Sequence, residues 1–224
     1  MTTLYAHAPA LWAAGERVLS TDEMTGIQAL ERKHPTRLMA PGQAERREFE
    51  YIRHGTITLI ANFDVAQGTV VTPSLGPTRT EEDFVAHMMR TGAADPAVTR
   101  WHFVTDNRNI HQSASLGRFV AEPDGLPDDV GHKGTQGILR SMTTRAAFLA
   151  EPPHRIGLHY TPKHASWIKQ IELWFSILVR KLLKRASCTA VEDVQARILA
   201  FVEYFNTTRA KPFQWTYGRK PLYV

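Results

Sequence analysis

The chain has 224 residues, 43% of them hydrophobic, which is enough to bury a core in one sizeable domain with appendages. Lys and Arg number 27 against 22 Asp and Glu, a formal charge of +5; the excess suits a polyanionic partner without requiring one. The single cysteine, Cys188, excludes an internal disulfide and favours a cytoplasmic setting. No apolar run approaches the roughly 20 residues of a membrane span, and no basic segment followed by an apolar one marks a signal peptide.

Residues 1–15 are Ala-rich and weakly patterned, a tail or a short helix. Arg17–Thr21 reads as a strand that delivers Asp22 and Glu23 at its end, and Ile27–Glu31 continues it. An apolar strand followed by an acid is the order a metal site at a sheet edge needs, although Asp at a strand end is also a common turn former. Residues 33–53, rich in Arg, Glu, Pro and Gly, read as a loop over the substrate. Thr56–Val65 and Thr69–Pro73 flank an Ala66-Gln67-Gly68 turn as a β-hairpin, so three successive strands form an antiparallel meander. Thr80 opens a helix to Met89, with Glu81, Glu82 and Asp83 in the first turn, where the helix dipole favours negative charge.

Trp101–Thr105 is a short apolar strand ending on Asp106-Asn107, and Ser113–Ala121 is helical. His111, five residues past Asp106, is close enough to approach a metal or a phosphate, and serves equally as an exposed turn residue. Residues 122–144 carry Gly, Pro and charge at high density and read as a flap, before a short helix at Arg145–Leu149 and a strand at Ile156–Tyr160.

Residues 161–185, TPKHASWIKQIELWFSILVRKLLKR, predict a long helix with Ser166 as N-cap. Ile168, Ile171, Phe175, Leu178, Val179 and Leu182 recur at helical spacing, the pattern of one buried face. Glu172 falls beside Ile168, Phe175 and Val179, which aims a carboxylate toward the core; that is costly unless it is paired or bound to a cation. The alternatives are a pair with Lys169 or a route to solvent. Trp167 and Trp174 read as packing residues. A last helix, Val191–Phe205, carries Val194, Ile198, Phe201, Val202 and Phe205 on one face, and residues 211–224 form a basic aromatic tail.

This order of elements predicts an α/β fold, a ribonuclease-H-like mixed sheet flanked by helices. In it, Asp22 and Asp106 meet at adjacent strand ends and a packed helix brings Glu172 to the same spot. Three carboxylates that close repel one another, and divalent cations relieve the repulsion. Mg²⁺ prefers such oxygen ligands, and two ions about 4 Å apart suit phosphodiester displacement.

STDEMTGIQAL, FVTDNRNIHQSASL and LHYTPKHASWIKQIELWFSILVRKLLKR, in that order, resemble the three signature blocks of DDE transposases, specifically the bacterial insertion-sequence branch of the mariner superfamily. AFVEYFNTTRAKPFQWTYGRKPL is similar to that branch too, so the resemblance runs from Val18 to Leu222. It implies a catalytic domain over residues 16–210, with Asp22, Asp106 and Glu172 as the metal-binding triad for two Mg²⁺ ions, Mn²⁺ substituting; Asn107 matches the family pattern. It also implies water-driven cleavage of double-stranded DNA at transposon ends, strand transfer by the freed 3′-hydroxyl, and a homodimer. Lys163, His164, Lys169, Arg180, Lys181, Lys184 and Arg185 are the candidate phosphate contacts, each also readable as part of a solvated helix face. Members usually carry N-terminal helix-turn-helix domains, whereas this chain starts almost at the first catalytic strand. The expectation is a separately encoded helix-turn-helix subunit or a truncated copy. A nuclease without strand transfer and an inactive DNA- or partner-binding remnant are the competing readings.

Overall fold

The structure is a computed structural model that describes residues 2–46, 48–122, 130–152, 154–162 and 165–214. Helix α1 (Thr2–Ala13) leads into the long strand β1 (Glu16–Arg32). Strands β2 (Tyr51–Asp64) and β3 (Thr69–Gly76) complete the meander, and α2 (Glu81–Ala94) follows. Strand β4 (Arg100–Thr105), α3 (Ala114–Ala121), α4 (Met142–Leu149), β5 (Ile156–Tyr160), α5 (Gln170–Leu178) and α6 (Val191–Thr208) come next. The sheet order is β3-β2-β1-β4-β5. The first three strands pair antiparallel; β4 and β5 run parallel to β1. This is the expected ribonuclease-H-like mixed sheet.

Both sheet faces are covered. On one side, Leu19, Trp101, Phe103 and Leu158 pack with Phe84 and Met88 of α2, Leu116 and Val120 of α3, and Phe148 of α4. On the other, Ile57, Leu59 and Phe63 meet Ile171, Trp174, Phe175 and Leu178 of α5 and Val194, Ile198, Val202 and Phe205 of α6. Phe213, in the described start of the tail, stacks on Phe63 with ring centroids 4.6 Å apart. The N-terminal residues form a helix whose Tyr5 and Ala8 pack on Val18, Val104 and Ile168. Among the described residues no helix is long and apolar enough to cross a membrane.

Several local expectations hold for identifiable reasons. Thr80 caps α2 with a full capping box: its Oγ1 accepts from the Asp83 N–H at 3.2 Å, and Asp83 Oδ2 accepts from the Thr80 N–H at 2.8 Å. Ser113 caps α3 by accepting from the Leu116 N–H. The segment after β1 forms a small ribbon with bridges Arg37–Arg46 and Ala40–Gln43. Part of the expected flap, residues 123–129, lies outside the described residues, as do residues 215–224 of the tail.

Two expectations are corrected. Asp22 does not stand at a strand end: β1 runs on through the expected Ile27–Glu31 stretch to Arg32, paired with β2, with a bulge between Met24 and Ile27 and a second register shift between Gln28 and Leu30. Gly26, at φ +68°, supplies the left-handed backbone that this bulge requires. The predicted long helix is also not uniform. Residues 166–168 form a 3₁₀ turn, α5 begins only at Gln170 with Lys169 as its N-cap residue, and Val179–Leu183 continues as a π turn. Ser166 is therefore not the N-cap.

Candidate active site

Alternation along the strands determines which side chains meet. On β1, Val18, Ser20 and Asp22 share the face covered by α1 and α5, while Leu19, Thr21 and Glu23 face α2 and α3. On β4, Val104 and the following Asp106 share the face of Asp22. The parallel register pairs Ser20 with Val104, so Asp22 and Asp106 lie side by side just past the shared ladder. The start of α5 is fixed over this edge, because the Ile171 N–H donates to Ser20 Oγ at 3.1 Å.

Lys169 lies between the two aspartates. Its Nζ donates to Asp22 Oδ2 at 2.5 Å and to Asp106 Oδ2 at 3.2 Å. The side chain is 1% exposed, and the two carboxylates raise its pKa against the lowering effect of burial. Lys169 is thus withdrawn from the surface on which a phosphate-contacting lysine was expected. It stands three residues before Glu172, hence on nearly the same helix face; that spacing is the signal that could have assigned it to the acids.

Glu172 is solvent-exposed rather than pointed into the core. Burial of part of the side chain, and then the neighbouring Asp22 carboxylate, push its pKa up to about 7. Two ionised carboxylates have no proton to share, so proximity favours a protonated Glu172. Asp22 Oδ1 is buried and accepts no hydrogen bond.

Behind Asp106 lies a second charged chain. His111 is fully buried: its Nδ1 lies 2.9 Å from Asp106 Oδ1 and its Nε2 lies 2.7 Å from Glu23 Oε1. Both ring nitrogens face carboxylate oxygens, so the doubly protonated ring fits best. Burial lowers the His111 pKa, but Asp106 and Glu23 outweigh it and raise the group to about 9. Burial likewise works to raise the Asp106 pKa, and His111, Lys169 and the Arg108 backbone N–H reverse it, leaving the group well below the usual carboxylate range. Arg108 Nε adds a contact to Asp106 Oδ2 at 3.3 Å. The sequence left His111 between ligand and exposed turn residue; the structure makes it neither. Asn107 Nδ2 donates to the Thr161 carbonyl at 2.6 Å, which ties the loop after β4 to the end of β5.

The remaining candidates are dispersed. Arg180, Lys181, Lys184 and Arg185 are all exposed, on the π turn and just beyond it. Lys163 and His164 lie outside the described residues. Trp174 is buried as expected, whereas Trp167 is 51% exposed and does not act as a core residue.

Among the described residues, no group of three or more His, Cys, Asp and Glu side chains is arranged to hold a metal ion. With Lys169 between them, Asp22 and Asp106 are already neutralised. In chemistry the donors nonetheless fit a hard divalent cation: carboxylates, one with an unpartnered buried oxygen, where the Lys169 ammonium already bridges Asp22 and Asp106.

A ribonuclease-H-like sheet that sets Asp22, within β1, beside Asp106, just past the end of β4, is the frame of a nuclease-like class. The family of DDE superfamily endonucleases matches residues 17–195, and the chain belongs to it. No curated protein matches. Three solved structures are similar in part. The Mos1 mariner paired-end complex with Mn has 15% identity over 78% of this chain and 53% of that chain, with a TM-score of 0.35. The Mos1 transposase paired-end complex with left transposon end has 14% identity over 78% and 52%, with a TM-score of 0.35. The mariner Mos1 paired-end complex with Mg has 13% identity over 95% and 62%, with a TM-score of 0.32. The chain therefore spans about half the length of the first two Mos1 chains.

Proposed function

We propose that this chain is a transposase catalytic domain that cleaves DNA phosphodiesters at insertion-sequence ends and transfers the freed strand. The observation that carries the reading is the convergence of Asp22 and Asp106 on one cation, Lys169, at the start of the helix that bears Glu172. Asp22, Asp106 and Glu172 would hold Mg²⁺ ions, for which Mn²⁺ would substitute. When bound, such ions activate water or a 3′-hydroxyl and stabilise the leaving oxygen.

The chain's own groups do the rest. Asp22 and Asp106 would take up the ions in place of the Lys169 ammonium that they now share. Asp106, kept ionised by its cationic neighbours, remains a ligand across the usable pH range. Exposed Arg180, Lys181, Lys184 and Arg185, together with Lys163 and His164, hold backbone phosphates and position the duplex without reading its sequence. The partner is double-stranded DNA, held by two copies of the chain; the paired-end complexes of Mos1 are the motive for that part.

The test is a nicking assay on duplex DNA with Mg²⁺ or Mn²⁺, followed by strand transfer from a pre-cut end. Asp106→Asn and Glu172→Gln should abolish nicking. Metal-dependent nicking without transfer product would reduce the protein to a nuclease. Binding with no nicking in any metal would reduce it to a DNA-binding remnant.

A further inference from the structure

Glu23, His111 and Asp106 form a buried chain of alternating charge that the cleavage reading does not use. His111 cannot swing. Its ring packs on Phe84 with centroids 4.6 Å apart, its backbone N–H donates to the Arg108 carbonyl at 3.0 Å, and its own carbonyl accepts from the Tyr160 hydroxyl at 2.9 Å. Glu23 sits on the opposite face of β1 from Asp22, with its side chain fully buried; it contacts His111 at 2.7 Å and Arg108 at 3.7 Å.

Asp106 needs such a brace. It follows the last residue of β4, so no ladder fixes its surroundings. Asp106 Oδ1 is held by His111 Nδ1 and the Arg108 N–H, which leaves Oδ2 turned toward Lys169 and Asp22. Burying a carboxylate and an imidazole costs free energy that apolar residues of the same size would not. Orientation of the third member gives that cost a purpose, as groups behind metal ligands commonly do.

We propose that His111, braced by Glu23, is the positioning residue that fixes the Asp106 carboxylate for metal binding. This inference rests on the reading of Asp22, Asp106 and Glu172 as a metal site. Mn²⁺ binding to the full chain, followed by the EPR signal of free Mn²⁺, tests it without any activity readout. The two isosteres separate orientation from stability. In His111→Gln the amide reaches the Nε2 position and satisfies Glu23, but loses Asp106. In His111→Asn the amide keeps the Nδ1 position and Asp106, but leaves buried Glu23 with only the 3.7 Å contact to Arg108. His111→Gln should therefore melt higher than His111→Asn, yet bind Mn²⁺ about 10- to 100-fold more weakly than the native chain; His111→Asn should bind more tightly than His111→Gln. Glu23→Gln, which still accepts from the ring, should bind Mn²⁺ nearly as the native chain does. If affinity follows the melting order, or His111→Gln binds like the native chain, the positioning role is wrong. Should His111→Asn fail to fold, His111→Gln against Glu23→Gln decides the matter alone. If Asp106→Ala leaves Mn²⁺ binding intact, the metal reading itself fails.

Discussion

Lys169→Met removes the ammonium between Asp22 and Asp106 while keeping the length of the side chain. Lys169 Nζ is 2.5 Å from Asp22 Oδ2 and 3.2 Å from Asp106 Oδ2, and the Lys169, Asp22 and Asp106 side chains are 1%, 5% and 18% exposed. Removing one member of a buried pair leaves an uncompensated charge and costs about 3–5 kcal/mol. Asp106 keeps His111 and Arg108 as partners, so the loss falls mainly on Asp22, and the lower end, about 3 kcal/mol, applies. For a chain of this size each kcal/mol shifts the melting temperature by about 2–4 °C, so a fall of roughly 6–12 °C is expected. Thermal melts in EDTA measure it. Asp22→Asn in the same chain should recover much of the loss, since it removes the charge that Lys169 balances. Added Mg²⁺ should raise the melting temperature of Lys169→Met more than that of the native chain, because no ammonium competes for the two carboxylates. A Lys169→Met protein that melts with the native one in EDTA, and responds identically to Mg²⁺, would refute the assignment of Lys169 as the resident counter-cation.

Two further outcomes follow from groups away from this edge. His87 is fully buried, accepts at Nδ1 from Ser74 Oγ at 2.6 Å, and is depressed to about 3 by burial and by Arg90. The unfolded chain takes up a proton there below about pH 6.5 and the folded chain does not, so stability falls as pH drops from 6.5 toward 3. The slope is at most about 1.4 kcal/mol per pH unit for this one proton. Urea midpoints at pH 7 and pH 4.5 should converge in His87→Gln relative to the native chain; equal pH slopes would contradict the neutral buried ring. Trp174 is 0% exposed and its ring centroid lies 6.1 Å from that of Phe205 and 6.4 Å from that of Phe201. Trp174→Ala should therefore cost about 3–5 kcal/mol in denaturant unfolding, and a loss under about 1 kcal/mol would mean that α5 and α6 do not pack as described.

The strands were legible because their apolar runs are short and bounded, and the meander was legible because Ala66-Gln67-Gly68 is a plain turn. Asp22 and Asp106 were legible as neighbours because parallel β1 and β4 carry them to the same level of the sheet; Glu172 was added to them by the resemblance. What the sequence concealed is local backbone geometry. Nothing in the spacing of Ile168, Ile171 and Phe175 distinguishes one long α-helix from a 3₁₀ turn, a short helix and a π turn in series. Because the helix starts at Gln170, Lys169 becomes an N-cap residue whose side chain turns inward. Glu172 is the opposite case: its spacing matches the buried stripe, yet its side chain is exposed, the route to solvent that the sequence also allowed.

Position along the strands explains why Asp22 and Asp106 are not equivalent. Asp22 stands in the middle of β1, opposite Ala61 of β2, and can be approached only from the face covered by α5. Asp106 lies beyond the end of β4, where no strand closes the route, so it is reached from both faces. Lys169 arrives from the α5 side and His111 from the α2 and α3 side. A substitution under α2, such as Phe84→Leu, loosens the His111 ring and with it Asp106, while Asp22 keeps its surroundings. Asp106 thus has ionic partners from both faces of the sheet, Lys169 from one and His111 from the other.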